Sequence, residues 1–366
     1  MSTWDDEERP LAVGFEDEAC LDARMVGGKG KGLGEMTAAD FPVPPGFVVT
    51  ARAYRRFLEQ DRLRRDIAIE LEGLDAEDLA ALDGAAERIA VLMAATALPR
   101  EVEESVRAAY EELCARTGVD DISVAVRSSA TAEDSAADSF AGEFETWLDI
   151  RGIDDVLAHV RRCYESVHSA RVLHYALGRG IDLSRVEMAV VVQKTVRARS
   201  AGVMFTLDPI SGDRSKIALE ASWGLGLSVV GGEVTPDRFT VNKVGLTIRS
   251  RVLGDKRVEY RRGDRSVEVP QERIGLLCLD EDEVLALAEL GKRLEKRQGC
   301  PQDIEFAVDE ELPPGQAVLL LQCRPETVWS SAERAPAFDP EAKVLSWITS
   351  SITVPTRTLA EGHRHG

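Results

Sequence analysis

The 366-residue sequence lacks several features that mark whole classes of protein. No apolar run approaches the ~20 residues that a transmembrane helix needs, and the acidic residues 1–10 contain no apolar core of a signal peptide. With a net charge of −19, the chain has no general excess of positive charge for duplex nucleic acid or an anionic membrane. We therefore predict a cytoplasmic protein whose main partner is neither nucleic acid nor a membrane.

Paired cysteine spacing is absent as well. The six cysteines include no C-x-x-C pair, which in a cytoplasmic chain favours reduced thiols packed as small apolar side chains. The content of 44% hydrophobic and 30% charged residues is typical of a globular protein, and the length is typical of about two domains.

Helical and strand-like patterns alternate along the chain in a mixed order. Helical periodicity covers residues 52–116 with a break at Pro99, residues 153–175 and residues 280–298. Strand-like runs cover residues 188–192, 202–206, 217–221 and 243–273, and two further strands lie near residues 303–308 and 319–324. This order predicts an α+β fold rather than a doubly wound parallel sheet.

A glycine-rich run, Gly27–Gly34, contains two lysines. It matches neither a Walker loop nor a G-x-G-x-x-G fingerprint. Its glycines would let the backbone approach an anion, a helix beginning near Leu33 would point its N–H groups at that anion, and Lys29 would add positive charge. A solvated turn is the alternative interpretation of this run alone.

Arg127 follows the alternating strand Ile122–Val126, so a rigid backbone positions its guanidinium. A guanidinium suits bidentate phosphate binding, and the hydroxyl of Thr131 adds a donor. The alternative is a strand-end arginine that pairs with Glu133 or Asp134. Gln193 follows an apolar strand, where a backbone hinge could bind an adenine, but an ordinary strand-to-turn transition is the interpretation that we favour.

Alternation near the C-terminal end places Asp303 and Glu305 on one strand face, and Gln322 and Arg324 on one face of the next strand. The turn residues between them predict that the two strands pair. Carboxylate and amide oxygens on one face suit a Mg²⁺ ion that also binds nucleotide phosphates. A polar strand face with ordinary salt bridges is the alternative.

Eight segments together resemble the N-terminal ATP-binding domain of phosphoenolpyruvate synthase, pyruvate phosphate dikinase and rifampicin phosphotransferase. In chain order they are Val26–Gly30, Pro42–Phe47, Val124–Asp134, Ser139–Gly142, Gly202–Thr206, Ala221–Gly226, Asp303–Glu305 and Gln322–Thr327. Each is weak alone, but they follow the family's order over nearly all of residues 10–330. One departure is Leu227, where the family usually has a glutamate after Gly-Leu-Gly.

The resemblance implies an ATP-grasp-like fold with ATP between two subdomains, residues 10–195 and 196–330, followed by a linker and tail at 331–366. It implies that Lys29, Arg127 and Arg324 bind phosphate and are catalytic, and that Glu305 and Gln322 are metal ligands supported by Asp303. The nucleotide contacts that we expect are Lys29, Arg127, Thr131, Gln193, Thr206, Glu305, Gln322 and Arg324. The implied cofactors are ATP and Mg²⁺.

The family's enzymes pass the β-phosphoryl group of ATP to a histidine on a swivelling domain, whose Thr-Gly-Gly…His motif is missing from this sequence. His159, His168 and His174 lie on helical stretches, and His363 and His365 lack the glycine-rich context. We therefore expect a second subunit that carries the phosphohistidine domain and the acceptor site. The apolar strip Val344–Ile348 could dock that partner or fold back as a terminal helix.

The resemblance implies a split phosphotransferase that yields AMP and phosphate. A phenol or p-cresol-type acceptor, as in phenylphosphate-synthase-like systems, is the favoured expectation. A split phosphoenolpyruvate synthase with pyruvate as the acceptor is one alternative, and a non-catalytic nucleotide-sensing partner is another.

Overall fold

The computed structural model describes residues 9–131, 146–261 and 265–329. The predicted motif residues Glu133, Asp134 and Ser139–Gly142 lie outside the described residues, as do the tail at 331–366 with its apolar strip and its two histidines. Up to Thr327 the chain forms one compact unit. None of the described helices is long and apolar enough to cross a membrane.

Helices and strands are interspersed along the described chain. The helices are α1 (Ala23–Thr37), α2 (Ala51–Leu58), α3 (Leu63–Leu71), α4 (Leu79–Ala95), α5 (Arg100–Thr117), α6 (Ile153–Ser166), α7 (Ala170–Arg179), α8 (Leu227–Val230), α9 (Gln271–Ile274) and α10 (Glu281–Gln298). The strands are β1 (Ala12–Gly14), β2 (Gly46–Val49), β3 (Val124–Ala130), β4 (Thr146–Ile150), β5 (Met188–Lys194), β6 (Ala198–Phe205), β7 (Lys216–Trp223), β8 (Asp237–Asn242), β9 (Thr247–Val252), β10 (Val258–Arg261), β11 (Arg265–Glu268), β12 (Gln302–Asp309) and β13 (Val318–Pro325). Short 3₁₀ turns cover Glu18–Leu21, Gln60–Arg62 and Leu183–Arg185.

Two antiparallel sheets organise these elements. The first sheet has the strand order β1-β2-β5-β3-β4, and the second has the order β13-β12-β6-β7-β8-β9. The strands β10 and β11 form a separate hairpin. Every strand pairing in the described residues is antiparallel, which confirms the prediction of an α+β fold.

Strand β5 is buried on both faces, which explains its uninterrupted apolar sequence. Val190 and Val192 point into a core shared with helices α2 to α7. Ala189 and Val191 point into a second core, which includes α1, α10 and the second sheet. The first sheet therefore separates a helical layer from the core that it shares with the second sheet.

Helix α10 shows how local sequence sets the ends of an element. The Asp280 carboxylate accepts the N–H of Glu283 at 2.8 Å, and the Glu283 carboxylate accepts the N–H of Asp280 at 3.0 Å, which forms a capping box. Gly299 ends the helix at a φ of 72°. Leu287 and Leu294 are fully buried. The helix predicted from this pattern is confirmed.

Each of the two longer helical stretches predicted from the sequence is divided into separate helices. Residues 153–175 do not form one helix, because Ser169 is extended (φ −63°, ψ 149°) and its hydroxyl caps the N–H of Val172 as α7 begins. The predicted helical character of residues 52–116 is confirmed, since this stretch forms α2 to α5. The break at Pro99 is confirmed, since this residue immediately precedes α5. The β-like segment 243–273 contains β9, β10 and β11 but also the short helix α9.

A fully buried ion pair lies at the start of β8. Neither Lys256 nor Asp237 exposes any of its side chain, and the Lys256 ammonium donates to Asp237 Oδ1 over 2.5 Å. The same carboxylate accepts the N–H groups of Gly254 at 2.8 Å and Cys278 at 2.7 Å. Asp237 therefore ties together three segments that are distant in sequence.

We expect Asp237→Ala to lower the free energy of unfolding by about 3–5 kcal/mol, because the Lys256 charge would stay buried without its counter-ion. Urea denaturation measures this change. Asp255→Ala is the matched control, since Asp255 forms an exposed ion pair with Arg257 and such pairs contribute little. Equal effects of the two substitutions would contradict the assignment.

Candidate functional site

A cavity of about 450 Å³ lies between the two sheets. Its walls come from β3, β4 and β5 of the first sheet, from β6, β12 and β13 of the second, and from α1 and the start of α8. Of the residues predicted from the sequence, those that line it are Lys29, Arg127, Gln193, Glu305, Gln322 and Arg324. The structure thus brings residues from both ends of the domain to one place.

Strands β12 and β13 pair as predicted and form one wall. Asp303 lies opposite Arg324, and Glu305 lies opposite Gln322. Ile304, between the two carboxylates, is fully buried on the other face of the strand. The period of two along each strand therefore places two acidic side chains, an amide and a guanidinium on the same side.

The Arg127 guanidinium reaches this wall from the first sheet. Its Nη2 donates to Glu305 Oε2 over 2.5 Å, and its Nη1 donates to the Leu321 carbonyl over 3.4 Å. Burial raises the pKa of Glu305, but Arg127, with contributions from Lys29 and Arg324, more than offsets this and holds the pKa below its ordinary value. Glu305 is therefore ionised at neutral pH.

A second ion pair lies beside the first. Arg324 Nε donates to Asp303 Oδ2 over 2.8 Å. Burial raises the pKa of Asp303, and the neighbouring Arg324 only partly offsets this. Asp303 is not among the residues that line the cavity, so its carboxylate orients Arg324, which does line it.

The Gln322 side chain has an unsatisfied acceptor. Its Oε1 is buried and accepts no hydrogen bond from any residue that the structure describes. Amide and carboxylate oxygens suit Mg²⁺, which commonly takes one or two protein ligands and completes its shell with phosphate and water. The described ranges contain no group of three or more His, Cys, Asp or Glu that could hold a metal. A cation beside Glu305 and Gln322 therefore fits only if a bound ligand contributes further oxygens.

The glycine run does not form the loop that we predicted. The run lies within α1, which begins at Ala23 and therefore earlier than the helix start that we predicted near Leu33. Within the run only Gly27 departs from helical geometry, with a φ of 68°. A Cβ at Gly27 would lie 2.2 Å from the carbonyl oxygen of Ser129, and one at Gly32 would lie 3.0 Å from that of Cys323. The glycines therefore allow α1 to pack closely against β3 and β13.

Lys29 nevertheless reaches the cavity. Its ammonium donates to the carbonyl oxygen of Ser128 over 3.0 Å, beside Arg127. Lys29, Arg127 and Arg324 thus place three cationic groups around one cavity in a chain whose net charge is −19. Such a local excess of cationic side chains suits a polyanionic ligand.

Two of the predicted nucleotide contacts are not brought to the cavity. Thr206 is fully buried, and its hydroxyl accepts the N–H of Gln302 at 2.8 Å. Thr131 ends a described segment and donates to the Glu187 carbonyl over 3.3 Å. Neither residue is among those that line the cavity. Gln193 does line it, and its side-chain amide donates to a backbone carbonyl over 3.3 Å.

Other parts of the lining were not predicted from the sequence. The hydroxyl of Thr195 is buried without a hydrogen-bond partner among the described residues. Val196, Ala198, Leu225 and Leu227 give this part of the lining an apolar character. The available signal was the Gln-Lys-Thr sequence at the end of strand β5 and directly after its apolar residues. The lining therefore combines a charged part with an apolar part, as a nucleotide requires.

Residues 23–344 match the family model described as "Pyruvate phosphate dikinase, AMP/ATP-binding domain". The chain belongs to this family. The α+β architecture described above is accordingly the ATP-grasp-like fold that the sequence predicted.

Proteins that are similar to most of this chain are consistently named phosphoenolpyruvate synthases. The chain is 42% identical over 321 residues to the probable phosphoenolpyruvate synthase of Methanothermobacter thermautotrophicus, which covers 87% of the chain and 46% of the relative. It is 36% identical over 382 residues to the phosphoenolpyruvate synthase of Pyrococcus furiosus, with 92% and 46% covered. It is 40% identical over 355 residues to that of Aeropyrum pernix, with 88% and 43% covered. The chain thus spans less than half the length of these relatives.

The described histidines lie away from the cavity. His159 and His174 lie on α6 and α7, and each contacts a backbone carbonyl through Nδ1, at 2.7 and 2.9 Å. His168 lies in the turn between these helices rather than on a helix, with Nε2 3.4 Å from the Tyr54 hydroxyl. Burial lowers the pKa of His168 to about 4. None of the three lines the cavity.

His168 should make folding sensitive to mild acid. Its folded pKa of about 4 lies below the ordinary value of 6.5, so between these values the unfolded chain binds the proton and stability falls as the pH falls. From about pH 7.5 to about pH 5 this residue should remove roughly 2 kcal/mol of unfolding free energy. Urea denaturation at both pH values should show a smaller difference for His168→Gln than for the wild type, and an unchanged difference would contradict the assignment.

Proposed function

We propose that the cavity binds ATP together with Mg²⁺. The observation that carries this proposal is Gln322 Oε1, which accepts no hydrogen bond from the described residues and lies opposite the ionised Glu305 in a cavity that is also lined by cationic groups. Lys29, Arg127 and Arg324 would contact phosphate oxygens, for which guanidinium and ammonium groups are well suited. The apolar residues between β5 and β6 and before α8 would hold the base.

Glu305 and Gln322 would hold the metal ion, and Asp303 would support the site by orienting Arg324. When bound, Mg²⁺ supplies positive charge that offsets the negative charge of the phosphoryl oxygens. The side chains of this domain then bind and orient the triphosphate. Thr206 and Thr131 are left out of this proposal because neither lines the cavity.

The ion pair between Arg127 and Glu305 would couple the two ligands. In the structure these two side chains form an ion pair and neutralise each other. A phosphate that binds Arg127 would draw the guanidinium from Glu305 and leave the carboxylate available to a cation. Phosphate alone would leave Glu305 without a counter-ion, and a cation alone would leave Arg127 without one. When both bind, each of the two side chains has a partner of opposite charge. ATP and Mg²⁺ should therefore bind more tightly together than separately.

We infer that the complete enzyme converts ATP and water to AMP and orthophosphate and passes the β-phosphoryl group to a histidine nitrogen on a second subunit. The family description names a dikinase, and none of the described histidines lines the cavity. The second subunit would carry the swivelling histidine domain and the acceptor site. The two subdomains predicted at 10–195 and 196–330 remain part of this proposal, with ATP bound between them.

Pyruvate is the acceptor that the comparisons favour, because the relatives described above are named phosphoenolpyruvate synthases. The phenol or p-cresol-type acceptor predicted from the sequence has no support among these relatives. A nucleotide sensor without turnover is the alternative from a different class of function.

Glu305→Ala should remove most of the gain in ATP affinity that Mg²⁺ provides, a loss of about tenfold or more. Because the substitution also releases Arg127, affinity measured in EDTA should not fall. Isothermal titration of the chain with ATP, with Mg²⁺ or with EDTA, measures both quantities. Glu311→Ala is the control, since Glu311 forms an exposed pair with Arg197, and Arg324→Ala should weaken binding under both conditions. A wild-type gain from Mg²⁺ in Glu305→Ala would show that the metal site is misplaced.

ATP labelled at the β-phosphoryl group tests the reaction. With the partner subunit present, the label should appear first on an acid-labile phosphohistidine of that subunit and then on the acceptor, with AMP as the nucleotide product. Pyruvate and a phenol are supplied in separate arms, and the chain without its partner should bind ATP but transfer no label. ADP as the product would refute the dikinase chemistry, and binding without transfer in every arm would favour the sensor.

A further inference from the structure

Helix α1 is interrupted at the position where it meets strand β3. Gly27 has a φ of 68° and a ψ of 178°, and the helix continues on both sides of it. A Cβ at this position would lie 2.2 Å from the carbonyl oxygen and 2.3 Å from the hydroxyl of Ser129. Both the backbone conformation and the lack of space therefore require glycine at this position.

The Ser129 hydroxyl satisfies backbone groups on both sides of this interruption. It donates to the carbonyl oxygen of Val26 over 2.8 Å and accepts the N–H of Gly30 at 3.2 Å. An interrupted helix leaves carbonyl groups unpaired before the break and N–H groups unpaired after it. Ser129, fully buried on a distant strand, therefore acts as a cap for both parts of α1.

In the sequence, Lys29 lies between Val26 and Gly30, the two residues whose backbone groups the Ser129 hydroxyl binds. Its ammonium donates to the carbonyl oxygen of Ser128, and it lines the cavity beside Arg127. The strand that carries Arg127 is thus joined to the helix that carries Lys29 by the Ser129 hydroxyl, in addition to the hydrogen bond from Lys29 to the Ser128 carbonyl. The relative position of the two cationic groups depends on this junction.

We propose that Ser129 is a positioning residue that fixes Lys29 relative to Arg127, so that both cations contact one polyphosphate. This inference rests on the proposed function. Ser129 itself touches no ligand in this arrangement, because it is fully buried behind the interrupted helix and is not among the residues that line the cavity.

The test compares Ser129→Ala with Ser128→Ala in the full chain. Ser128 is equally suited to substitution, because it is the same residue type, is 1% exposed, and its hydroxyl has no hydrogen-bond partner among the described residues. Ser129→Ala should weaken binding of Mg²⁺-ATP about tenfold, as expected when two hydrogen bonds that order a binding group are lost. Ser128→Ala should bind like the wild type. The affinity of Ser129→Cys, which keeps a weak donor, should lie between the affinities of these two variants. Ser129→Cys replaces Ser129→Ala in the test if the alanine variant does not fold.

A double-mutant cycle separates positioning from a general loss of stability. In a Lys29→Met background, Ser129→Ala should cause little further loss of affinity, because the group that it positions is already absent. A further tenfold loss in that background would overturn the proposal. If the wild-type chain binds ATP and Ser129→Ala binds it with the same affinity, the proposal is also overturned.

A second readout does not depend on ATP. Acetylation of Lys29 by acetic anhydride, followed by mass spectrometry, should be faster in Ser129→Ala than in the wild type and unchanged in Ser128→Ala. If the wild-type chain bound no ATP, the proposed function would fail, whereas the labelling rate would still decide whether Ser129 holds Lys29. Equal labelling rates in all three proteins would overturn the positioning role.

Discussion

Arg127 and Glu305 come from different sheets and meet at 2.5 Å, and the geometry of the cavity depends on this contact. Partial burial of a charged side chain without a partner is costly, so the two side chains, 13% and 28% exposed, stabilise each other at the junction of the sheets. The same contact brings Gln322 and Arg324, the cross-strand neighbours of the β12 carboxylates, towards the cations of the first half of the chain. An ion pair therefore occupies the place where a cation and a phosphate would meet.

Helix α1 gives this arrangement its rigidity. Its glycines face β3 on one side and β13 on the other, and at both contacts a β-carbon would come within 3.0 Å of a backbone oxygen. A helix this close to both strands cannot shift without also moving the residues that line the cavity. In the proposed site the glycine run would contribute to phosphate binding only indirectly, through packing that positions Lys29, because its glycines lie within α1.

Local patterns in the sequence were sufficient to predict some features of the fold and the site. The helix α10 follows from its helical periodicity. The faces of β12 and β13 follow from alternation, so Glu305 and Gln322 could be placed together from the sequence alone. The role of the glycines could not be predicted, because it depends on Ser129 and Cys323, which are far away in the chain. Thr206 illustrates the same limit: its neighbouring motif is recognisable, but only the fold shows that Gln302 uses its hydroxyl in the interior.

The chemistry of the cavity lining supports a proposal for the nucleotide more directly than a proposal for the acceptor. Lys29, Arg127 and Arg324 can neutralise and orient phosphate, and Glu305 and Gln322 can offer oxygens to a cation, but none of the described histidines lies beside them. In the proposed function, a site of this composition would stabilise charge on the phosphoryl oxygens, and the histidine nucleophile would come from the second subunit. The relatives extend well beyond the region that this chain matches. In the proposed function, the side chains of this cavity would bind the phosphoryl donor, and recognition of the acceptor would depend on contacts outside it.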